Sequence, residues 1–191
     1  MKQKELTRTD IFEQLERVAD SGFRAATVYA DPPWPYRNTA SRGAAANHYR
    51  TMSLAQIKAL PVYRVIQKNA HLHLWTTNGL LREAFDVMKA WGFRYKSAFV
   101  WIKPQMGLGN YWRVSHEFLL FGVRGSLAFQ NHSQKSWLMH SRLRHSEKPQ
   151  AIRELVELVS PAPYLELFGR QLPPNDHWLA LGNEVPLSKA A

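Results

Sequence analysis

The chain has 191 residues, enough for one domain with a sizeable core. Apolar residues make up 45 %, no run reaches membrane-spanning length, and the start Met1-Lys2-Gln3-Lys4-Glu5 lacks the apolar stretch of an export signal, so a cytoplasmic protein is expected. There are no cysteines, which excludes disulfides and thiolate metal sites, and a net charge of +10, from 25 Lys and Arg against 15 Asp and Glu, favours a polyanionic partner.

Residues 9–19 predict a helix, capped by Thr9 or Asp10, with Ile11, Phe12, Leu15 and Val18 on one face and Gly22 past its end. It reads as a lid on a sheet. The apolar run Ala25–Ala30 reads as a buried strand. Asp31-Pro32-Pro33-Trp34 follows directly. The two prolines forbid helix and hold the backbone extended past the strand end, where open α/β sheets place their ligands. There a carboxylate can accept a hydrogen bond from an amino group, the Pro32 carbonyl can accept another, and the indole can stack on a planar base. A plain turn, with Asp31 tying its own backbone and Trp34 plugging the core edge, is the competing reading.

Residues 36–50 are polar, small and basic, with Arg37, Arg42 and Arg50 available to phosphate or merely solvated. Ser53 caps a short helix over 54–60. A strand is predicted at 70–77, then a helix over 79–91 capped by Asn78 and stopped by Gly92. Strands follow at 94–102 and 116–123, joined by a glycine-bearing aromatic connection of the kind that carries substrate contacts. Residues 125–129 suggest a turn and a short strand. Residues 131–148 hold Lys135, His140, Arg142, Arg144, His145 and Lys148 with no acid before Glu147, either a phosphate-contacting loop or a solvated one. A helix over 147–159, a strand at 164–168 ending in Gly169-Arg170, and a strand at 177–181 ending in Gly182-Asn183-Glu184 complete the pattern. Strands alternating with helices predict an α/β fold with a mostly parallel, doubly wound sheet, a single domain over 1–191 with its core at about 25–185.

No G-x-G-x-x-G and no phosphate loop occur, which argues against dinucleotide and ATP enzymes. The eight histidines show no H-E-x-x-H spacing, so no zinc site is expected.

Asp31-Pro32-Pro33-Trp34 after a strand resembles the catalytic motif of the adenine-N6 methyltransferases, in the branch holding the messenger-RNA m6A writer and bacterial and phage DNA enzymes. His73–Asn78, Trp101–Pro104, His116–Gly122, His145–Pro149, Leu165–Arg170 and Gly182–Glu184 resemble further blocks of that family, in its order. The resemblance implies a Rossmann-like, class I methyltransferase fold in circularly permuted order, with the target-base motif before the cofactor strand. It implies S-adenosyl-L-methionine as cofactor and nucleic acid as partner, DNA before RNA because small stand-alone members mostly modify DNA. It leaves open a homodimer, a heterodimer, or a non-catalytic subunit. No membrane association is implied.

By the same resemblance, Asp31, Pro32, Pro33 and Trp34 are the catalytic set, with Trp34 stacking on a flipped adenine. Tyr36, Trp101, Glu117, Arg142 and Arg144 are the expected substrate contacts. Trp101 reads equally as core, whereas Glu117 opens an apolar strand where a carboxylate needs a partner. Asp31, Lys148, Leu167, Phe168, Gly169, Arg170, Asn183 and Glu184 would line the cofactor, with Asn183 and Glu184 suited to ribose hydroxyls and Lys148 or Arg170 to the methionine carboxylate. Asp20 is the candidate for the family's acidic residue at the cofactor's adenine.

Overall fold

The computed structural model describes residues 10–35, 51–107, 111–142, 147–171, 173, 175–183 and 185. Seven strands form one sheet in the order β5-β3-β4-β2-β1-β6-β7. They are β1 (Ala25–Ala30), β2 (Ile66–Thr76), β3 (Arg94–Ile102), β4 (His116–Arg124), β5 (Trp137–Met139), β6 (Tyr164–Leu167) and β7 (Trp178–Leu181). The pairs β1–β2, β1–β6, β6–β7 and β3–β5 are parallel; β4 runs antiparallel to both its neighbours, β2 and β3. The expected mostly parallel α/β sheet is present, and the Asp31 strand precedes the Gly169 and Gly182 strands in the expected order. From β1 the chain moves to β2 on one side, and β6 returns on the other. The carboxyl end of β1 is therefore a topological switch point, where such sheets open a crevice.

Helices cover both faces. α1 (Ile11–Asp20), α2 (Leu54–Ala59) and α3 (Leu81–Ala90) pack Ile11, Leu15, Ile57, Val87 and Met88 against Val28, Leu72, Leu74, Leu165 and Leu167. α4 (Gln150–Val159) covers the opposite face, where Ile152 and Val156 meet Tyr29, Trp75, Trp101 and Trp178. Apolar spacing aims each helix inward, and local chemistry sets its start. Asp10 caps α1 by accepting from Phe12 N, and Ser53 with Gln56 closes a capping box on α2. One helix cannot cover the whole second face. A cavity of about 190 Å³ remains between α4 and β3–β4, lined by Phe99, Leu119, Phe121 and Val156 among others. No described helix is long and apolar enough to cross a membrane.

Several boundaries differ from expectation. β2 begins at Ile66, because the polar Gln67–Asn69 continues the strand on the exposed side before the buried run starts. Asn78 is not a cap: a 3-10 turn over Asn78–Leu80 precedes α3, and no side chain caps the helix. Pro149 stands at the N-cap of α4, which starts at Gln150. Residues 127–129 form no strand, and β6 stops at Leu167. β5 lies inside the basic stretch read as loop.

Candidate active site

Asp31 leaves β1 with its N–H directed to Leu167 O of β6 at 3.4 Å. Trp34 N donates to Pro32 O at 2.8 Å, and Met52 N donates to Pro33 O at 2.9 Å. The two prolines and these two bonds fix the segment that carries the carboxylate. Pro32 O keeps one lone pair for a second donor.

Trp34 is elsewhere than expected. Its ring is 3 % exposed, packs into the core on the α1–α3 face, and donates Nε1–H to Trp75 O at 3.0 Å. No open face remains for a base in this arrangement; the indole ties the Asp-Pro-Pro segment to β2. Trp101 is likewise core. It is buried, and its Nε1 donates to His140 O at 2.8 Å.

Three charged groups gather beside Asp31. Lys148 Nζ stands 2.6 Å from Asp31 Oδ2 and 3.3 Å from Glu117 Oε2, and Lys103 Nζ bridges to Glu117 Oε1. Trp75 and Trp101 form the floor, with Lys148 5.1 Å from the Trp75 ring and Lys103 4.3 Å from the Trp101 ring. Register explains the meeting. Glu117 lies opposite Trp101, and Leu119 opposite Trp75, on the face that α4 covers. Burial alone would raise the Glu117 pKa, but Lys148 and Lys103 hold it below the ordinary range. Burial would lower that of Lys148, yet Asp31 and Glu117 raise it. Glu117 and Lys148 are therefore each held in the charged form by their neighbours. Lys148, expected at a cofactor carboxylate, is instead shared between two protein carboxylates. Lys103 and Trp75 fall in blocks that resemble the family but carry no site role in the sequence reading. The available signal was a lysine placed directly after an apolar strand ending at the same sheet edge.

The carboxyl ends of β6 and β7 continue this edge. Phe168 takes φ 66°, a left-handed conformation unusual for a bulky residue, and such strain concentrates at functional sites. Gly169 N donates to Leu181 O at 2.8 Å. A Cβ at Gly182 would overlap the Gly169 carbonyl, so the glycines' close approach is to each other rather than to a ligand. Leu167 is buried in the core, Arg170 is half-buried and Asn183 is exposed. Gln14 of α1 accepts from the buried Gly182 N at 3.0 Å, which brings the start of α1 to this edge. Asp10, one turn before Gln14, caps the end of α1 that lies nearer this edge. Asp20, at the other end of α1, is largely exposed and 3.7 Å from Arg64, beside the amino end of β1. A six-residue strand, about 20 Å, separates that end from Asp31. Arg142 is exposed on the segment after β5, its N–H bonded to Gln105. Tyr36, Arg144 and Glu184 lie outside the described residues, as does the loop at 36–50.

A second polar cluster occupies the same face away from this edge. His71 Nε2 is 3.1 Å from Leu127 O, which can only accept, so that nitrogen carries the proton. His71 Nδ1 then accepts from Ser160 Oγ at 2.9 Å, and Ser160 accepts from His73 Nε2 at 2.8 Å. Burial pushes the His73 pKa down to about 3 and lowers that of His71. Both rings are neutral structural groups. Among the described residues, no group of three or more metal-ligating side chains converges.

The MT-A70 family model matches residues 26–184. The chain belongs to the MT-A70 family. This is a family of adenine-N6 methyltransferases, and the matched span takes in every strand described above except the first residue of β1. Among its relatives is the Type II methyltransferase M.MunI of a Mycoplasma species, 29 % identical over 203 residues, covering 94 % of this chain and 84 % of that protein. The human N(6)-adenosine-methyltransferase catalytic subunit METTL3 is 27 % identical over 171 residues, 84 % of this chain but 28 % of that protein. The mouse N(6)-adenine-specific methyltransferase METTL4 is 25 % identical over 192 residues, 90 % of this chain and 40 % of that protein. The chain therefore spans most of the Mycoplasma relative and well under half of the two mammalian ones.

Proposed function

We propose that this chain transfers a methyl group from S-adenosyl-L-methionine to the exocyclic amino nitrogen of adenine in DNA. The observation that carries the reading is Asp31 itself. Its carboxylate stands at the switch point of the sheet and already receives an N–H donor, the Lys148 ammonium, at 2.6 Å.

An amino group of a flipped adenine meets the same acceptor chemistry. Asp31 and the remaining lone pair of Pro32 O take its two hydrogens, which turns the nitrogen lone pair away from the ring. As the nitrogen becomes cationic, the carboxylate stabilises the developing charge. Holding the nucleophile in line supplies much of the acceleration. Lys148 has Glu117 as a second partner, so an arriving base can free Asp31 without leaving the ammonium unpaired. Trp34 serves by fixing the segment. The strained Phe168 beside Gly169, with Arg170, Asn183 and Asp10 at one edge, suits a cofactor that bears a nucleoside and an amino-acid carboxylate. Asn183, with Glu184, would meet the ribose, Asp10 the adenine, and Arg170 the carboxylate. When bound, S-adenosyl-L-methionine supplies an electrophilic methyl group on a sulfonium.

DNA is proposed before RNA on the likeness to the Type II enzyme, 29 % identical over 94 % of this chain. The test is transfer of labelled methyl to matched DNA and RNA, single- and double-stranded, by intact protein and by Asp31→Ala. Label in DNA adenine, lost on substitution, is expected. Label in RNA alone would overturn the substrate, and transfer surviving Asp31→Ala would overturn the mechanism.

A further inference from the structure

The charge of this protein is unevenly placed. Between Asp86 and Glu147 the sequence holds nine Lys and Arg (Lys89, Arg94, Lys96, Lys103, Arg113, Arg124, Lys135, Arg142, Arg144) and one acid, Glu117. That segment therefore carries +8 of the total +10, while the rest of the chain, with 16 basic and 14 acidic residues, carries +2. It builds β3, β4 and β5 with their loops, and its one carboxylate is already engaged by Lys103 and Lys148.

The same segment holds most of the exposed large apolar side chains. Of nine such residues among those described, Tyr95, Met106, Tyr111, Trp112, Trp137 and Met139 lie within it. Tyr111 and Trp112 are adjacent and 96 % and 88 % exposed. A tryptophan left in water forfeits the burial that normally stabilises it, so an adjacent pair calls for an occupant. The pair sits on the connection from β3 to β4, which is necked at its base: Lys103 N bonds to Ser115 O at 2.7 Å, and a Cβ on Gly107 would overlap the Val114 carbonyl. Arg142 flanks the neck, with its guanidinium 3.4 Å from the position of that Cβ. Trp112 is five positions before Glu117 and Tyr111 six, so the pair lies within about 22 Å of that member of the charged cluster.

Aromatic faces interleaved with cations fit one ligand chemistry, a nucleic-acid strand whose bases are unpaired. We infer that Tyr111 and Trp112 form a stacking platform for unpaired bases flanking the target adenine, with Arg142 on the adjoining phosphates. The inference rests on the proposed reaction for its substrate but adds a preference for single-stranded or locally opened substrate. A base inside a duplex already has both faces covered and gains nothing from the platform.

Equilibrium binding of a fluorescent oligonucleotide tests this without cofactor or turnover. The probes are a single strand and its duplex, titrated across a salt series, with circular dichroism checking the fold of each variant. Tyr111→Ala with Trp112→Ala should weaken single-strand binding about 5- to 100-fold, with a duplex change under about 2-fold and an unaltered salt slope. Trp112→Phe should recover most of the loss. Arg142→Ala should instead lower the slope of log affinity against log salt by about 0.7 on the single strand. Tyr63→Ala, an exposed ring outside the segment, should change nothing. Equal losses on both polymers, which would mark a wedge between paired bases, overturn the platform, as does an unchanged double variant or an intact protein that binds neither probe. Stacking losses as expected in a protein that transfers no methyl group would sustain the platform and remove only the reaction.

Discussion

Two buried polar clusters share the face under α4, and they solve burial in opposite ways. At the carboxyl end of β1, Asp31, Glu117, Lys103 and Lys148 hold one another in a run of ion pairs. Deeper along β2, His71, Ser160 and His73 are neutral and hold one another by a one-way run of hydrogen bonds. The first has more than one arrangement, since Lys148 is shared between two carboxylates. The second has one, because each proton position follows from the Leu127 carbonyl. A site that must admit a ligand needs exchangeable partners, and a wall behind it needs the reverse.

The largest expected effect breaks the first cluster at its reacting end. Asp31→Asn should lower methyl transfer about 10³-fold while calorimetry shows S-adenosyl-L-methionine still bound. Activity within tenfold of the intact protein would mean that the carboxylate does not face the developing charge. Glu117→Ala should follow, costing about 3 kcal/mol in denaturant unfolding because two lysines lose a partly buried partner. A cost below about 1 kcal/mol would make the cluster a surface network instead.

Acidity separates the two clusters more finely. His73 has a folded pKa of about 3 against about 6.5 unfolded, so below that upper value the unfolded chain takes up a proton that the folded one refuses. Stability should fall as pH drops through 6.5, steepening toward about 1 kcal/mol per pH unit below it, and His71 adds in the same direction. Glu117 has a depressed pKa, so its contribution is present above the ordinary Glu range and is lost only as pH falls through that range and below it. Urea midpoints between pH 7 and 5 should show the histidine effect, and His73→Gln should flatten the curve there. An unchanged curve would mean that His73 titrates freely. The smallest effect is that of Trp34→Phe, about 1 kcal/mol from loss of the bond to Trp75 O, with transfer changed no more than about threefold. A large rise in substrate KM instead would restore the stacking role.

The strands were legible where burial is two-sided. Ala25–Ala30 and the apolar parts of β2 and β4 have no reading except a covered strand. β5 was not legible, because its two outward residues stay exposed and it forms by pairing with β3, which no local pattern records. The position of Asp31 was legible from the strand before it and the prolines after it. The direction of Trp34 and Trp101 was not, since ring size says how much surface must be hidden and nothing about which side hides it. Which end of α1 lies beside the site was not legible either. Distance along the chain favoured Asp20, but a helix returning antiparallel to β1 puts its far end, not its near end, beside the site.

Gly169 and Gly182 lie so close that a single carbon on Gly182 would collide with the other's backbone. The seam between the last two strands is therefore shut to every other residue type at Gly182 and has no slack to widen. Any side chain introduced at Gly182 would have to push the ends of β6 and β7 apart, and with them the backbone that carries Phe168.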